Sequence, residues 1–232
     1  MNSSSKPDDI EGDGRWISQH TRFLCQTRER EPDVVLIGDS VIKCMEFSAP
    51  YKKFLEPLHC LNFGIYEDNT SNILWRIENG ELDGISPKAI IVHAGNHNIG
   101  ESAEQIVSGI SSIVDLIHER QPQANVIVLG MLPCGREPNP RRVKYSKIND
   151  ILTEKWITNK SLNTVLLLPD WKQFIQPDGI ISHRDQHDYL HPTDMGYSKL
   201  IDMMLDELQI AMPSSFLKPD QALNVAVSGE SS

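Results

Sequence analysis

The sequence predicts an α/β protein built on a five-stranded parallel sheet. Five short apolar runs, most of them rich in β-branched residues, alternate with longer segments of helical periodicity. The runs are continuous rather than alternating with polar residues, as is typical of strands buried on both faces. They span 33–37, 58–63, 89–93, 125–129 and 164–168. Strand and helix repeated five times favour a parallel sheet with right-handed crossovers and helices on both sides, a three-layer α/β/α arrangement.

The intervening segments carry helix signals. Ser102-Ala-Glu-Gln105 has the form of a capping box, and apolar residues recur every three or four positions after it, from Ile106 to Ile117. Asn69 or Thr70 can cap a further helix, and two more are expected over 143–158 and 194–210. In parallel sheets of this kind, binding sites form at the carboxyl ends of the strands.

Composition bounds the organisation of the chain. The 232 residues suit one domain, which we place at 13–212. Residues 1–12 are polar and rich in Ser and Asp, and are predicted to be disordered. Residues 213–232 are predicted to form a flexible tail.

Charge and hydropathy exclude several classes of function. The net charge of −10 argues against binding nucleic acid through bulk charge. No apolar run reaches the roughly 20 residues of a membrane span, and the N-terminus lacks the apolar core of a secretory signal. Four widely spaced cysteines without a CxxC pair indicate reduced thiols. We therefore expect a cytoplasmic protein.

The first strand ends in Leu36-Ile-Gly-Asp-Ser40. Gly38 permits a tight turn, and Ser40 then lies where a helix begins, so that the helix N-terminus favours a developing anion there. A serine in this place can be a nucleophile whose own N–H donates to an oxyanion. The alternative is that Asp39 or Ser40 only caps the helix.

The segment before the last helix reads His183-Arg-Asp-Gln-His-Asp-Tyr-Leu-His191. Asp188 and His191 are three residues apart, and Pro192 biases His191 away from helical geometry. This suits a general base with an orienting carboxylate. Two alternatives are histidines without a role, and a metal site in which His183, His187 and His191 share a helical face.

These blocks together resemble the SGNH, or GDSL-type, hydrolase family. They are Gly-Asp-Ser40, Asn-Phe-Gly at 62–64, Gly-Asn at 95–96 and Asp188-Tyr-Leu-His191. Longer stretches at 31–40, 57–64, 74–82, 120–124 and 138–140 are similar to the catalytic α subunits of intracellular platelet-activating factor acetylhydrolase, type Ib. The resemblance covers roughly residues 15–210.

The resemblance implies a flavodoxin-like fold and a triad of Ser40 as nucleophile, His191 as base and Asp188 as orienter. It implies hydrolysis of a short acyl ester, typically the acetyl group of a phospholipid, without a metal or organic cofactor. It also implies a homodimer or heterodimer of α subunits and association with a WD-repeat, lissencephaly-type regulatory subunit.

The sequence departs from the family at two of the three oxyanion-hole positions, which are Ser40, Glu67 and His97. Family members carry glycine where Glu67 stands, and an asparagine side chain where His97 stands. A non-glycine residue is strained if position 67 needs a positive φ, and a carboxylate there repels an oxyanion. Asn96 and Asn98, on either side of His97, carry the side-chain amide that the family uses as a donor, but each is one position away from the place where the family has it.

Three hypotheses follow. The first is a serine ester hydrolase, slowed or altered in specificity by Glu67 and His97. The second is a pseudoenzyme that keeps the fold as a dimeric binding module. The third, a nucleotide- or flavin-binding module, lacks the GxGxxG or Walker-type loop that it needs.

Overall fold

The computed structural model describes residues 4–158 and 163–216. Strands β1 to β5 span Val34–Gly38, Cys60–Gly64, Ala89–His93, Asn125–Leu129 and Thr164–Leu167. Helices α1 to α6 span Arg15–Glu29, Ser40–Met45, Thr70–Arg76, Ala103–Arg120, Pro140–Thr153 and Asp194–Ala211. The predicted alternation of strands and helices is confirmed.

The five strands form one parallel sheet in the order β2-β1-β3-β4-β5. This order is that of flavodoxin-like sheets, in which the chain winds one way from β1 to β2 and the other way from β3 onward. The carboxyl ends of β1 and β3 are therefore adjacent, with Gly38 paired to His93. A crevice is expected above this point.

Two apolar cores lie on opposite faces of the sheet. Alternate strand residues such as Val35 and Ile37 pack against α1, α3, α4 and α5, whereas Val34 and Leu36 pack against α2 and α6. Strand residues 34–38 and 89–93 are buried throughout. Burial on both faces accounts for the continuous apolar runs and confirms the three layers.

The boundaries of two elements differ from the predicted ones for local reasons. β2 begins at Cys60, because Glu56–Leu58 form a 3₁₀ turn and His59 has a left-handed φ of 50°. α5 begins at Pro140 rather than at 143. Asn139 caps it by accepting a hydrogen bond from the Arg142 N–H at 3.0 Å, and proline suits the first helical position.

The chain ends are only partly within the described residues. Residues 4–12 form no helix or strand, although the Ser5 N–H donates to the Ser71 carbonyl at 3.2 Å. α1 has no counterpart among the predicted helices. Pro213–Phe216 form one 3₁₀ turn, and the rest of the predicted tail, 217–232, lies outside the described residues. In the described part of the chain, no helix has both the length and the hydropathy needed to cross a membrane.

Candidate active site

Ser40 is the first residue of α2, directly beyond β1. A Cβ at Gly38 would lie 2.3 Å from the His93 carbonyl oxygen, so only glycine lets β1 and β3 approach here. The carboxylate of Asp39 accepts the Val41 N–H at 3.0 Å and caps the helix. Asp39 is thus the cap, and the hydroxyl of Ser40 is left for other partners.

His191 and Asp188 meet Ser40 across the sheet edge. His191 Nε2 lies 2.8 Å from Ser40 Oγ, and its Nδ1 lies 2.6 Å from Asp188 Oδ2. The other carboxylate oxygen of Asp188 accepts the backbone N–H groups of Leu190 at 3.0 Å and of His191 at 2.7 Å. The structure therefore brings Ser40, predicted from the turn after the first strand, together with Asp188 and His191, predicted from their spacing, in the order nucleophile, imidazole, carboxylate.

Asp188 is held in its ionised form. Burial acts to raise its pKa, but hydrogen bonds from the His191 backbone and ring and from the Leu190 N–H outweigh burial, and the pKa lies below the usual aspartate value. An ionised carboxylate only accepts hydrogen bonds, so His191 Nδ1 carries a proton. His191 Nε2 is then free to accept the Ser40 hydroxyl proton.

A helical metal face is wrong for this segment. Residues 182–192 form turns rather than a helix, and His183 is hydrogen bonded to the Tyr189 hydroxyl at 2.5 Å. Possible ligand atoms of His187, Asp188 and His191 do lie within 4.8 Å of one another. Both oxygens of Asp188 are already engaged by His191 and its neighbours, as expected for an orienting carboxylate.

His97 lies on the other side of Ser40. Its Nε2 is 3.0 Å from Ser40 Oγ. Since the Ser40 proton is directed at His191, the serine oxygen acts as acceptor toward His97, whose Nε2 then carries the hydrogen. Burial lowers the pKa of His97, the carboxylates of Asp39 and Glu67 oppose this, and the Arg141 charge adds to it, so the ring is neutral near pH 7.

The asparagines on either side of His97 are engaged elsewhere. Asn96 donates through its side chain to Asp39 Oδ2 at 2.9 Å and to His93 Nε2 at 3.0 Å, and His93 Nδ1 reaches the Leu129 carbonyl. Asn98 is buried against Thr70, to whose hydroxyl it donates at 2.8 Å. Only His97 of the three faces the nucleophile.

Glu67 has the left-handed φ that the glycine pattern anticipates. Its φ is 65°, and its side chain is exposed in the loop between β2 and α3. Non-glycine residues adopt this region at a cost in conformational energy. Its carboxylate is near enough to the site to favour protonation of His97.

Residue patterns did not reveal two parts of the site. The first is the buried link from Asp39 through Asn96 to His93, which joins the loops after β1 and β3; the sequence marks Asp39 only as a possible helix cap. The second is Arg141, which donates to the Asn96 carbonyl at 2.6 Å and to the Tyr145 hydroxyl at 2.7 Å. Arg141 precedes the predicted start of its helix, so no periodicity marked it.

A cavity of 460 Å³ opens beside His97, lined by residues 96–100, the first turns of α5 and Leu190. A larger cavity of 620 Å³ lies beside α1, α2 and the start of β2, and its lining contains none of the candidate site residues. His97, whose Nε2 lies 3.0 Å from Ser40 Oγ, forms part of the wall of the smaller cavity.

The fold and site define a class of hydrolase. The chain belongs to the GDSL-like lipase/acylhydrolase family, whose pattern matches residues 36–199. It is 44% identical over 200 residues to platelet-activating factor acetylhydrolase IB subunit alpha1 of Bos taurus, with 85% of each chain covered. It is 46% identical over 193 residues to subunit alpha2 of Homo sapiens, with 83% of each covered. These relationships support an ester hydrolase function.

Solved structures agree on the fold. A putative platelet activating factor from Streptococcus pneumonia superposes with a TM-score of 0.69 at 17% identity, covering 86% of this chain and 97% of the other. A putative acylhydrolase from Bacteroides fragilis gives 0.68 at 18% identity, covering 89% and 100%. At such identities the likeness concerns the fold alone.

Proposed function

We propose that this chain is a serine esterase that removes a short acyl group, typically acetyl, from a phospholipid, with Ser40, His191 and Asp188 as its catalytic triad. The observation that carries the proposal is the 2.8 Å contact between His191 Nε2 and Ser40 Oγ, in line with the 2.6 Å contact to Asp188. The family supports ester hydrolysis, and the names of the 44–46% identical relatives support the acetyl group.

In the proposed reaction, Ser40 Oγ attacks the ester carbonyl while its proton passes to His191 Nε2. Asp188 stabilises the resulting imidazolium. The tetrahedral intermediate expels the alcohol, which takes the proton from His191. Water then attacks the acetylated Ser40 with His191 again as base, and acetate and free Ser40 are released.

The oxyanion would be stabilised by the backbone N–H groups of Ser40 and Glu67 and by the Nε2–H of His97. The contact of His97 with Ser40 Oγ at 3.0 Å supports a donor within reach of the reacting centre. A neutral ring that already points its N–H at the serine oxygen needs little rearrangement to follow the new charge.

Assembly with other chains also belongs to the proposal. The relatives are named as subunits alpha1 and alpha2 of their enzyme, which supports a dimer of this chain with itself or with a related subunit. Binding to a WD-repeat regulatory subunit and a cytoplasmic location remain predictions from the family resemblance.

Acetate release from a 1-alkyl-2-acetyl phospholipid and from p-nitrophenyl acetate tests the activity. We expect turnover by the native protein, none by Ser40→Ala, and native turnover by Ser108→Ala, which alters an exposed serine on α4. A folded native protein without turnover would contradict the proposal. Hydrolysis that arises only when Glu67→Gly and His97→Asn are combined would then identify a pseudoenzyme.

A further inference from the structure

The loop before α6 brings three metal-ligating side chains together. His187, Asp188 and His191 offer ligand atoms that all lie within 4.8 Å of one another. His187 Nε2 is 3.9 Å from Asp188 Oδ2, and His191 Nδ1 is 2.6 Å from the same oxygen. The two imidazole rings are nearly parallel, at an interplanar angle of 23°. Two imidazoles and one carboxylate are a ligand set that suits Zn²⁺, whereas Mg²⁺ and Ca²⁺ prefer oxygen ligands.

Backbone hydrogen bonds hold the two histidines on the same closed loop. The His187 N–H donates to the His191 carbonyl at 3.1 Å, and Gln186 and Pro192 form an antiparallel bridge. Gln186 is fully buried and donates to the Pro133 carbonyl at 2.9 Å, which fixes the base of the loop. Because the ligands are already near one another, a metal that binds them orders few additional groups.

The three side chains are open to solvent and need only small movements to bind one ion. Their exposed fractions are 60% for His187, 45% for Asp188 and 16% for His191, so water can supply a fourth ligand. Asp188 Oδ1 accepts the N–H groups of Leu190 and His191, which leaves Oδ2 for the metal. Ligand atoms of a tetrahedral Zn²⁺ site are about 3.3 Å apart. The separations of 2.6 and 3.9 Å would therefore each change by less than about 1 Å.

We propose that His187 Nε2, Asp188 Oδ2 and His191 Nδ1 form a Zn²⁺ site that inhibits the enzyme by fixing the wrong tautomer of His191. The metal takes the place of the hydrogen on Nδ1. That hydrogen passes to solvent and Nε2 takes one up, so the neutral ring keeps one hydrogen and no net proton is released. The Nε2–H group, 2.8 Å from Ser40 Oγ, then donates to the serine and cannot accept its proton. The site itself rests on the loop geometry, whereas the inhibition rests on the proposed esterase function.

Calorimetric titration of the full chain with zinc chloride tests the site independently of turnover. We expect one high-affinity Zn²⁺ per chain, with an affinity at least about tenfold lower in His187→Ala, because loss of a group that only orients a metal ligand already costs 10- to 100-fold. His59→Ala is the matched control. His59 is also an exposed histidine beside a carboxylate, with its Nδ1 3.3 Å from Asp33, but it is not part of the three-residue group. It should keep the native affinity.

Turnover of p-nitrophenyl acetate with and without Zn²⁺ tests the inhibition, and each protein without metal is its own reference. With free Zn²⁺ about tenfold above the native dissociation constant, the rate should fall about tenfold in the native protein and in His59→Ala, but at most about twofold in His187→Ala. A chelator should restore the native rate. The same concentration of Mg²⁺ should have no effect, because Mg²⁺ prefers oxygen ligands.

The two measurements fail separately. Equal Zn²⁺ affinity of the native and His187→Ala proteins, or no binding at all, overturns the site. Equal inhibition of these two proteins also overturns it, because the metal then acts elsewhere. Binding through His187 that leaves turnover unchanged overturns the exchange of tautomers. If no form of the protein hydrolyses the ester, the esterase function fails, while the titration still decides the metal site.

Discussion

Ser40 Oγ lies between two imidazole rings, and the two rings have different parts in the proposed reaction. His191 Nε2, at 2.8 Å, is backed by Asp188 and accepts the proton. His97 Nε2, at 3.0 Å, has a lowered pKa because of burial and donates a hydrogen. Hydrogen bonds are donated from His97 to Ser40, from Ser40 to His191 and from His191 to Asp188, and this direction distinguishes the base, His191, from the donor, His97.

Replacing His97 tests its part as donor. In His97→Ala we expect kcat for an acetyl ester to fall about 10²- to 10³-fold, the loss typical of one oxyanion donor. His59→Ala is the matched control, because His59 is exposed and lies before β2, beside the larger cavity whose lining contains none of the candidate site residues. Steady-state kinetics give the answer, and a His97→Ala protein that keeps most of its kcat would rule out the donor.

Glu67 combines an unfavourable backbone conformation with an unfavourable charge, and two variants separate them. Glu67→Gly should raise the free energy of unfolding by about 0.5–1 kcal/mol, since relief of the left-handed strain exceeds the entropy cost of glycine. Glu67→Gln leaves the strain but removes the charge, so it should raise only kcat, by about two- to fivefold. Urea denaturation and initial rates measure the two effects. Equal stability of Glu67→Gly and the native protein would contradict the strain.

Among single residues, the sequence predicts best those whose side-chain chemistry and local backbone geometry both indicate the same role. Asp188 and His191 are predictable because they stand three residues apart and Pro192 biases His191 away from helical geometry. His97 and Glu67 were located only through the family resemblance. The contacts of Asn96 with Asp39 and His93 could not be predicted. Asn96 is 57 positions from Asp39 and 3 positions from His93, and the three residues meet because of the register between β1 and β3, which no local sequence pattern encodes.

At the scale of the elements, hydrogen bonds to Asp39 connect the turns after β1 and β3. Asp39 caps α2 through one oxygen and holds the loop after β3 through the other, accepting from the Asn96 side chain and from its N–H at 3.3 Å. The nucleophile on one turn and the proposed donor on the other therefore share a buried anchor. Parallel strands predict that such turns are adjacent, but not which side chain joins them.

Removing the anchor should affect stability and catalysis together. Asp39→Ala is expected to lower the free energy of unfolding by about 3 kcal/mol, from a lost cap and an unpaired Asn96 amide. It should also lower kcat about 10²-fold through misplacement of Ser40 and His97. Ser102→Ala, which removes the cap of α4, should cost about 1 kcal/mol and leave kcat unchanged. An Asp39→Ala enzyme with native kcat would contradict the anchoring.

The family resemblance implies the order of the strands in the sheet, whereas hydropathy does not. An apolar run identifies a strand but does not show which other strand lies beside it. Helix starts were predictable where caps are local, as at Ser102 and Asn69. The segment before β2 was not, since the left-handed residue His59 interrupts an apolar run that reads as one strand.

In the molecule as a whole, a buried group of charges lies beneath the site. Arg76 is fully buried, donates to the carbonyls of Phe63 and Gly38, and pairs with Asp68 at 2.8 Å and Glu81 at 2.5 Å. Two carboxylates thus share one guanidinium in the apolar layer below β1 and β2. Burial raises the pKa of Asp68 to about 6, although the Arg76 charge opposes this.

We expect this group to make folding depend on pH. Because the pKa of Asp68 is higher in the folded chain than the ordinary 3.8, folding should take up a proton between these values. The stability from protonated Asp68 should be complete below about pH 4 and be lost as pH rises through about 6, by about 3 kcal/mol in all. Asp68→Asn should remove this part of the dependence, whereas Asp83→Asn, at an exposed ion pair, should keep it. Urea midpoints from pH 4 to 7 measure the difference, and parallel curves for Asp68→Asn and native protein would contradict it.

Reaction with a fluorophosphonate tests most directly whether Ser40 is a working nucleophile. The serine oxygen displaces fluoride from phosphorus and leaves a stable adduct that mass spectrometry locates. We predict one adduct per chain, on the peptide that contains Ser40, and none in Ser40→Ala. A folded native protein that remains unlabelled, or a Ser40→Ala protein that is labelled equally, would contradict the assignment.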